Sequence, residues 1–242
     1  MSRSSSRTRS DQGKVRLVIG CLLVSLAAPL VVLIAIAGLK FGVWDIDVAY
    51  DQLTWTVGLW LGGAGGIAAL IAAIVGLMSP RRAGPFALVT VVAAVLTIGL
   101  YWREAQSAGD ARPVSTTGGE LGDVSTDPAD PPAFSARVLA LREADGADPL
   151  RPGGTGCAVQ ALPRQVAPGV AGYGLQEAGF TVYGFGVARA DGSQTSFWFD
   201  RTHDAVIRIR PGRTDIRVAA RDMAHDNARA CRLALRIVEN LQ

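Results

Sequence analysis

Apolar and polar positions divide the chain into two halves with different periods. From Leu17 to Leu39, from Trp55 to Met78 and from Pro85 to Trp102 the chain is apolar over lengths that suit a helix crossing the roughly 30 Å hydrocarbon core of a bilayer. Pro29 sits mid-way along the first run and is expected to kink it; Pro85 stands at a natural helix start for the third. After Arg103 the pattern changes. AVIRIR over Ala205–Arg210 and TDIRVA over Thr214–Ala219 alternate with period two, as half-buried strands do, and Pro211-Gly212 turns between them. FTVYGFGV (180–187) and QTSFWF (194–199) predict two further strands, with Asp191-Gly192 as a hairpin turn. Residues 163–178 predict a weak helix capped by Gly179, and FSARVLALR (134–142) a short strand or extended segment. His225–Leu241 predicts an amphipathic helix with Ala228, Cys231, Leu235 and Val238 on one side and Arg229, Arg232 and Arg236 on the other.

The expected architecture is therefore α+β: three transmembrane helices followed by a small antiparallel sheet backed by a C-terminal helix. Residues 1–16 are expected to be a disordered basic tail, Lys40–Thr54 a short acidic loop, 103–121 a linker and 122–242 the folded domain.

Charge sharpens this picture. The chain has 242 residues, a 49% apolar share and a net charge of +3, which by itself invites a nucleic-acid reading. The excess, however, sits in Arg3, Arg7, Arg9, Lys14 and Arg16, whereas residues 103–242 carry sixteen arginines against seventeen acidic groups. A nucleic-acid footprint needs clustered charge on the folded domain, so that class is set aside. The basic tail, the Arg81-Arg82 turn and the acidic first loop (Asp45, Asp47, Asp51) instead orient the spans. By the positive-inside bias the N-terminus faces the cytoplasm and everything after Trp102 lies outside it, the periplasm in a bacterium. Val18-Ile19-Gly20-Cys21 mimics a lipoprotein cleavage box, but the apolar run continues past it, so lipidation is not expected.

Within the second span Gly58, Gly62 and Gly66 recur every four residues. This smooth stripe lets another helix approach closely, from the same chain or from a second copy.

The segment Gly122–Phe134, GDVSTDPADPPAF, leads into the folded half. Three prolines and the short polar side chains Ser125, Thr126, Asp127 and Asp130 predict a rigid extended path with Asx-type turns. It resembles the opening motif of the DUF1499 family, membrane-associated bacterial proteins without an established activity. Phe199, Asp204, Val206, Ile207, Arg208 and Arg210 resemble the family's second motif, and Asp215, Arg217, Arg221 and Asp226 parts of a third, with Ala219-Ala220 where small hydroxyl residues would stand. The resemblance covers about the last half of the chain and implies location and fold, but no reaction.

Candidate chemistry centres on the two alternating strands. Period two places Arg208 and Arg210 on one face and Asp215 and Arg217 beside them, with Arg221 just beyond. Such a face is either a site for a phosphate, carboxylate or acidic partner, or a solvated surface of ion pairs. Asp127 and Asp130 either join it or serve as turn residues, and Asp204 completes the set of candidates. His203-Asp204 and His225-Asp226 lack a nearby nucleophile and are read as loop and cap residues. Cys21, Cys157 and Cys231 show no metal-ligand spacing, and no metal or cofactor is expected; Cys157 and Cys231 are candidates for a disulfide. Three functional classes stay open: a membrane-held binding or assembly module for an envelope component, an enzyme using Asp127, Asp204 and Arg217 in a cleft, and a structural membrane oligomer. Expected partners are lipids, an envelope protein and, where the glycine stripe packs between chains, a second copy.

Overall fold

The structure is a computed structural model and describes residues 3–107, 122–147, 157, 159–222 and 228–242. It forms two compact units, Met1–Gln106 and Ser107–Gln242.

In the first unit, α1 (Arg3–Lys40) runs unbroken through Pro29. A π-helical segment (Asp47–Val57) leads directly into α2 (Gly58–Met78), and α3 spans Gly84–Ser107. The stretches Gln12–Lys40, Asp47–Met78 and Gly84–Arg103 are long and apolar enough to cross a membrane. Leu33, Trp60, Leu77 and Leu88 point outward, as lipid-facing side chains do. Three expectations are corrected. The basic tail is helical from Arg3: no proline interrupts propagation from the apolar turns that follow, and Gly13 is carried within the helix. The acidic loop shrinks to residues 41–45: the π-helical segment takes up the rest, and the hydroxyls of Thr54 and Thr56 bond back five residues to the carbonyls of Ala49 and Asp51, matching its wider turn. The third helix also continues five residues past Trp102.

α1 and α2 meet along small residues. Ser25 Oγ donates to the Gly65 carbonyl at 3.0 Å, and a Cβ at Gly65 would lie 3.1 Å from the Ser25 Cα. The predicted stripe faces elsewhere: Gly58 lies against the Tyr101 hydroxyl and Gly66 against Ile98, both on α3, while a Cβ at Gly62 would meet nothing within 4 Å. Gly65, which makes the closest backbone approach to α1, stands one residue outside the four-residue repeat.

The second unit is built on a five-stranded antiparallel sheet in the order β1-β5-β4-β3-β2, with β1 Asp123–Ser125, β2 Thr181–Phe185, β3 Arg189–Thr195, β4 Thr202–Arg210 and β5 Arg213–Ala220. Gly212 takes the left-handed conformation (φ +72°) that the two-residue β4–β5 turn demands. Three helices accompany the sheet: α4 (Ala136–Ala144), α5 (Pro168–Glu177) and α6 (Arg229–Leu241). One face carries Ala205, Ile207, Ile209, Ile216 and Val218, packed against Leu175, Ala234, Ile237 and Leu241 of α5 and α6. Cys157 and Cys231 are joined by a disulfide, with Cα atoms 5.6 Å apart.

Three further expectations fail here. The segment 134–142 is not a strand: Ser135 caps α4 by accepting from the Val138 amide. Asp191-Gly192 is no turn but the middle of β3, where the Thr181 carbonyl approaches so closely that a Cβ at Gly192 would lie 2.8 Å from it. The hairpin turns instead at residues 186–188, closed by Gly186 N to Arg189 O at 2.7 Å. The strand expected over 194–199 ends at Thr195, and Phe197–Phe199 form a turn. His225 and Asp226 lie outside the described residues, as does most of the expected linker.

Candidate functional site

Alternation places Asp191 and Ser193 of β3, Asp204, Val206, Arg208 and Arg210 of β4, Asp215, Arg217 and Ala219 of β5, and Asp123 and Ser125 of β1 on the face opposite the apolar core. That face is not open to solvent. The lead-in segment crosses it and continues into α4, so Phe134 and Val138 pack on Val206 and Ala219. Charges taken out of water need partners, and here they form three groups along the sheet.

The first lies at the β4–β5 turn. Asp215, fully buried, accepts from Arg213 Nε at 2.7 Å and pairs with Arg210 at 2.5 Å and Arg208 at 3.3 Å. From the covering segment, Asp127 receives Arg208 at 3.1 Å and Arg210 at 2.9 Å, and Asp130 receives Arg208 Nη1 at 2.9 Å. The Asp130 amide donates to Asp127 Oδ1 at 3.3 Å, so the aspartates serve as turn residues and as partners of the arginines together. Three carboxylates meet three guanidinium groups. The hydrogen bond from Arg210 outweighs partial burial and holds the Asp127 carboxyl below its ordinary range, and the same bond raises Arg210.

The second group is deeper. Arg217, 4% exposed, grips Asp123 with two parallel bonds of 2.8 and 2.6 Å and donates to the Pro132 carbonyl at 3.2 Å. Its guanidinium lies 5.1 Å from the centre of the Phe134 ring.

The third group surrounds Asp204, which is fully buried. It accepts from Arg142 of α4 at 2.9 Å, from Ser193 Oγ at 2.8 Å and from Arg221 at 2.7 Å. Arg221 also pairs with Asp145, and Arg142 donates to the Ala220 carbonyl at 3.0 Å. Burial pulls the Arg221 pKa down, but hydrogen bonds and charges from Asp204 and Asp145 outweigh it and leave it raised.

Two readings are thereby corrected. The arginine face considered as a site for a phosphate, carboxylate or acidic partner is already paired, because Asp127 and Asp130 arrive from a segment some eighty residues earlier and complete the balance. Asp127, Asp204 and Arg217, set together for an enzymatic cleft, instead belong to the three separate groups. Arg142 was overlooked; its place at the last turn of α4, facing Asp204, becomes legible only once 136–144 is read as a helix. Among the described residues no three His, Cys, Asp or Glu side chains gather as metal ligands.

Some apolar side chains of the domain are nonetheless left to solvent. Strand β2 is an edge of the sheet, and Phe185 and Val187 at its end are 63% and 82% exposed. Phe185 lies against Gly172 of α5, beside the exposed Val170 and Tyr173, whose hydroxyl bonds to Glu177. Residues missed as candidates are thus Tyr173, Phe185 and Val187; the signal was an aromatic strand with no later strand to cover it. The chain has no significant match among family models, curated proteins or solved structures.

Proposed function

We propose that this chain is an integral membrane protein of a bacterial inner membrane, related to the DUF1499 proteins, that presents its α+β domain on the periplasmic side as a binding module for another envelope protein. The observation that carries the proposal is the open edge strand β2 with its apolar end. A row of backbone groups without a neighbouring strand among the described residues, beside exposed aromatic and branched side chains, suits an extended partner segment that adds as a sixth strand. The arginines serve the domain itself by fixing the lead-in segment. Orientation rests on the basic N-terminal tail and the Arg81-Arg82 turn. The Cys157–Cys231 disulfide supports the periplasmic side, since such bonds persist where the compartment is oxidising.

The test is cross-linking in intact cells with a photoreactive residue at Val187 of the full chain. A single envelope protein captured through one extended peptide, and lost when Phe185→Asp is added, is the expected result. Absence of any protein adduct from cells that hold the protein at normal levels overturns the proposal. A reporter active only outside the cytoplasm, fused after Gln242, tests the orientation separately.

A further inference from the structure

In the first unit, the turn between α2 and α3 is joined to the early part of α1 by packing and by a hydrogen bond. Val18 and Cys21 of α1, Ala68 and Ala72 of α2, and Ala83 and Ala87 around the start of α3 form one buried cluster, with Val15 and Val75 packed on its margin. The turn is tight. The Ser79 carbonyl accepts from the amides of Arg82 at 3.3 Å and Ala83 at 3.0 Å, and Pro80 and Pro85 stiffen the path. Lys14 of α1, half-buried, donates from Nζ to Ser79 Oγ at 3.2 Å. The same turn carries Arg81 and Arg82, both exposed. Three cations thus gather at one end of the helices. The sequence offers them little neutralisation: Asp11 is the one acidic residue in 1–44, and none occurs in 52–103. The 21 residues of α2 separate this end from Asp45, Asp47 and Asp51 by about 30 Å, and the 24 residues of α3 carry the chain about 36 Å away from it. Asp11 balances at most one of the three cations, so at least two positive charges are left. The dipole ends of α2 and α3, opposite in sign, meet in the turn and largely cancel.

We propose that Lys14, Arg81 and Arg82 form a binding site for the phosphate of an anionic phospholipid, seated between α1 and the α2–α3 turn. The proposal rests on reading the three helices as membrane spans, and it is independent of which side of the membrane this end faces. Two features point to a lipid rather than a free phosphate. The cations stand at the ends of the apolar stretches, where a bilayer places its headgroups. Within about one helical turn of them Leu17, Leu77, Met78 and Phe86 are exposed, an apolar surface for the acyl chains of the same molecule. The donors suit the ligand. A lysine ammonium keeps two further N–H groups after bonding Ser79, and each guanidinium offers a fork that matches phosphate oxygens. The turn is stiff and Lys14 is already held against it, so little ordering is left for the ligand to impose. Charge sets the specificity. A zwitterionic headgroup brings its own cation to the site and gains less there than a net-negative one.

The full chain in mild detergent is titrated with phosphatidylglycerol or with phosphatidylcholine of the same acyl chains, and bound lipid is read by native mass spectrometry. Phosphatidylglycerol should bind about tenfold more tightly, and Lys14→Gln and Arg81→Gln/Arg82→Gln should weaken it by about fivefold per cation removed. Arg16→Gln is the control. It removes the same charge from the same end of α1, but about 200° round the helix from Lys14, and should change binding by less than about twofold. Lys14→Arg keeps the cation and should hold the affinity within about twofold; a loss as large as that of Lys14→Gln would overturn the role of charge. Equal binding of the two lipids overturns the proposal, and so does an Arg16→Gln effect equal to that of Lys14→Gln, which would mean diffuse surface charge. Inorganic phosphate added in excess should leave the lipid bound; displacement overturns the assignment to a lipid. Fractionation of cells checks the span reading separately. A chain found outside the membrane fraction would sink that reading, whereas a membrane-borne chain without lipid preference sinks only the site.

Discussion

Removing the Arg217 side chain should unfasten the lead-in segment and the sheet together. In Arg217→Ala the Asp123 carboxylate, itself buried, loses both parallel hydrogen bonds, the Pro132 carbonyl loses its donor, and the Phe134 ring loses the nearer of two cations, keeping Arg142 at 5.9 Å. Breaking one side of a buried ion pair costs about 3–5 kcal/mol, and a desolvated cation–ring contact adds about 1 kcal/mol. The sum, about 4–6 kcal/mol, is a large share of the 5–15 kcal/mol typical of a folded domain. Hydrogen exchange on the full chain in detergent provides the assay. Backbone amides of β4 and β5 such as Ile207 and Ile216 should exchange on the order of 10³-fold faster, because about 1.4 kcal/mol corresponds to tenfold in an opening equilibrium. The double variant Asp123→Asn/Arg217→Met removes both charges and should recover about 2–3 kcal/mol of the loss, since no lone buried charge is left. An effect of the single variant below tenfold, or a double variant less stable than the single, would refute the reasoning.

Three other predictions follow from neighbouring features. The Asp127 carboxyl is depressed on folding from its ordinary 3.8, so its contribution is fully present above that unfolded value and disappears as pH falls through the lower folded one. In denaturant titrations the gap between wild type and Asp127→Asn should hold steady from pH 7 to about pH 4 and then close in acid; a gap that widens in acid contradicts the pairing with Arg210. The Cys157–Cys231 bond spans 74 residues, and loop-closure entropy assigns it about 4 kcal/mol. Calorimetry of Cys157→Ser should therefore show a strongly lowered unfolding temperature in the second unit, with no loss meaning that the bond does not form. In the first unit, Gly65→Val should reduce thermal stability in detergent, since its Cβ would press on the Ser25 backbone, whereas Gly62→Ala should not; equal effects would contradict the α1–α2 seam.

The sequence carried the fold further than the site. β4 and β5 were legible because Ile207, Ile209, Ile216 and Val218 alternate with polar residues, and the membrane helices because their apolar runs are long. Alternation shows which residues share a face, but says nothing of what covers it. Asp215 and Arg217 looked solvated by that rule and are buried, because residues 126–135 and α4 lie across them. The helix at 136–144 was hidden by a sequence, VLAL, that fits either period, although Ser135 was available as a cap signal. Asp191-Gly192 carried the usual mark of a turn, yet Gly192 is required for close backbone approach inside the sheet.

The covering of the polar face also decides where recognition is to be sought. Arg208, Arg210 and Arg213 retain partial exposure, but an anionic ligand there must displace Asp127 and Asp130, which reach the arginines from a segment stiffened by three prolines and so lose little entropy by staying. A ligand competing with preorganised carboxylates gains only the difference between two similar ion pairs. Among the described residues no such competitor occupies Phe185 and Val187 on the sheet edge, where binding trades exposed apolar surface for contact. The strongest charges of the domain therefore hold it together, and its weakest-looking surface, the β2 edge, is the one with free energy left to offer a partner.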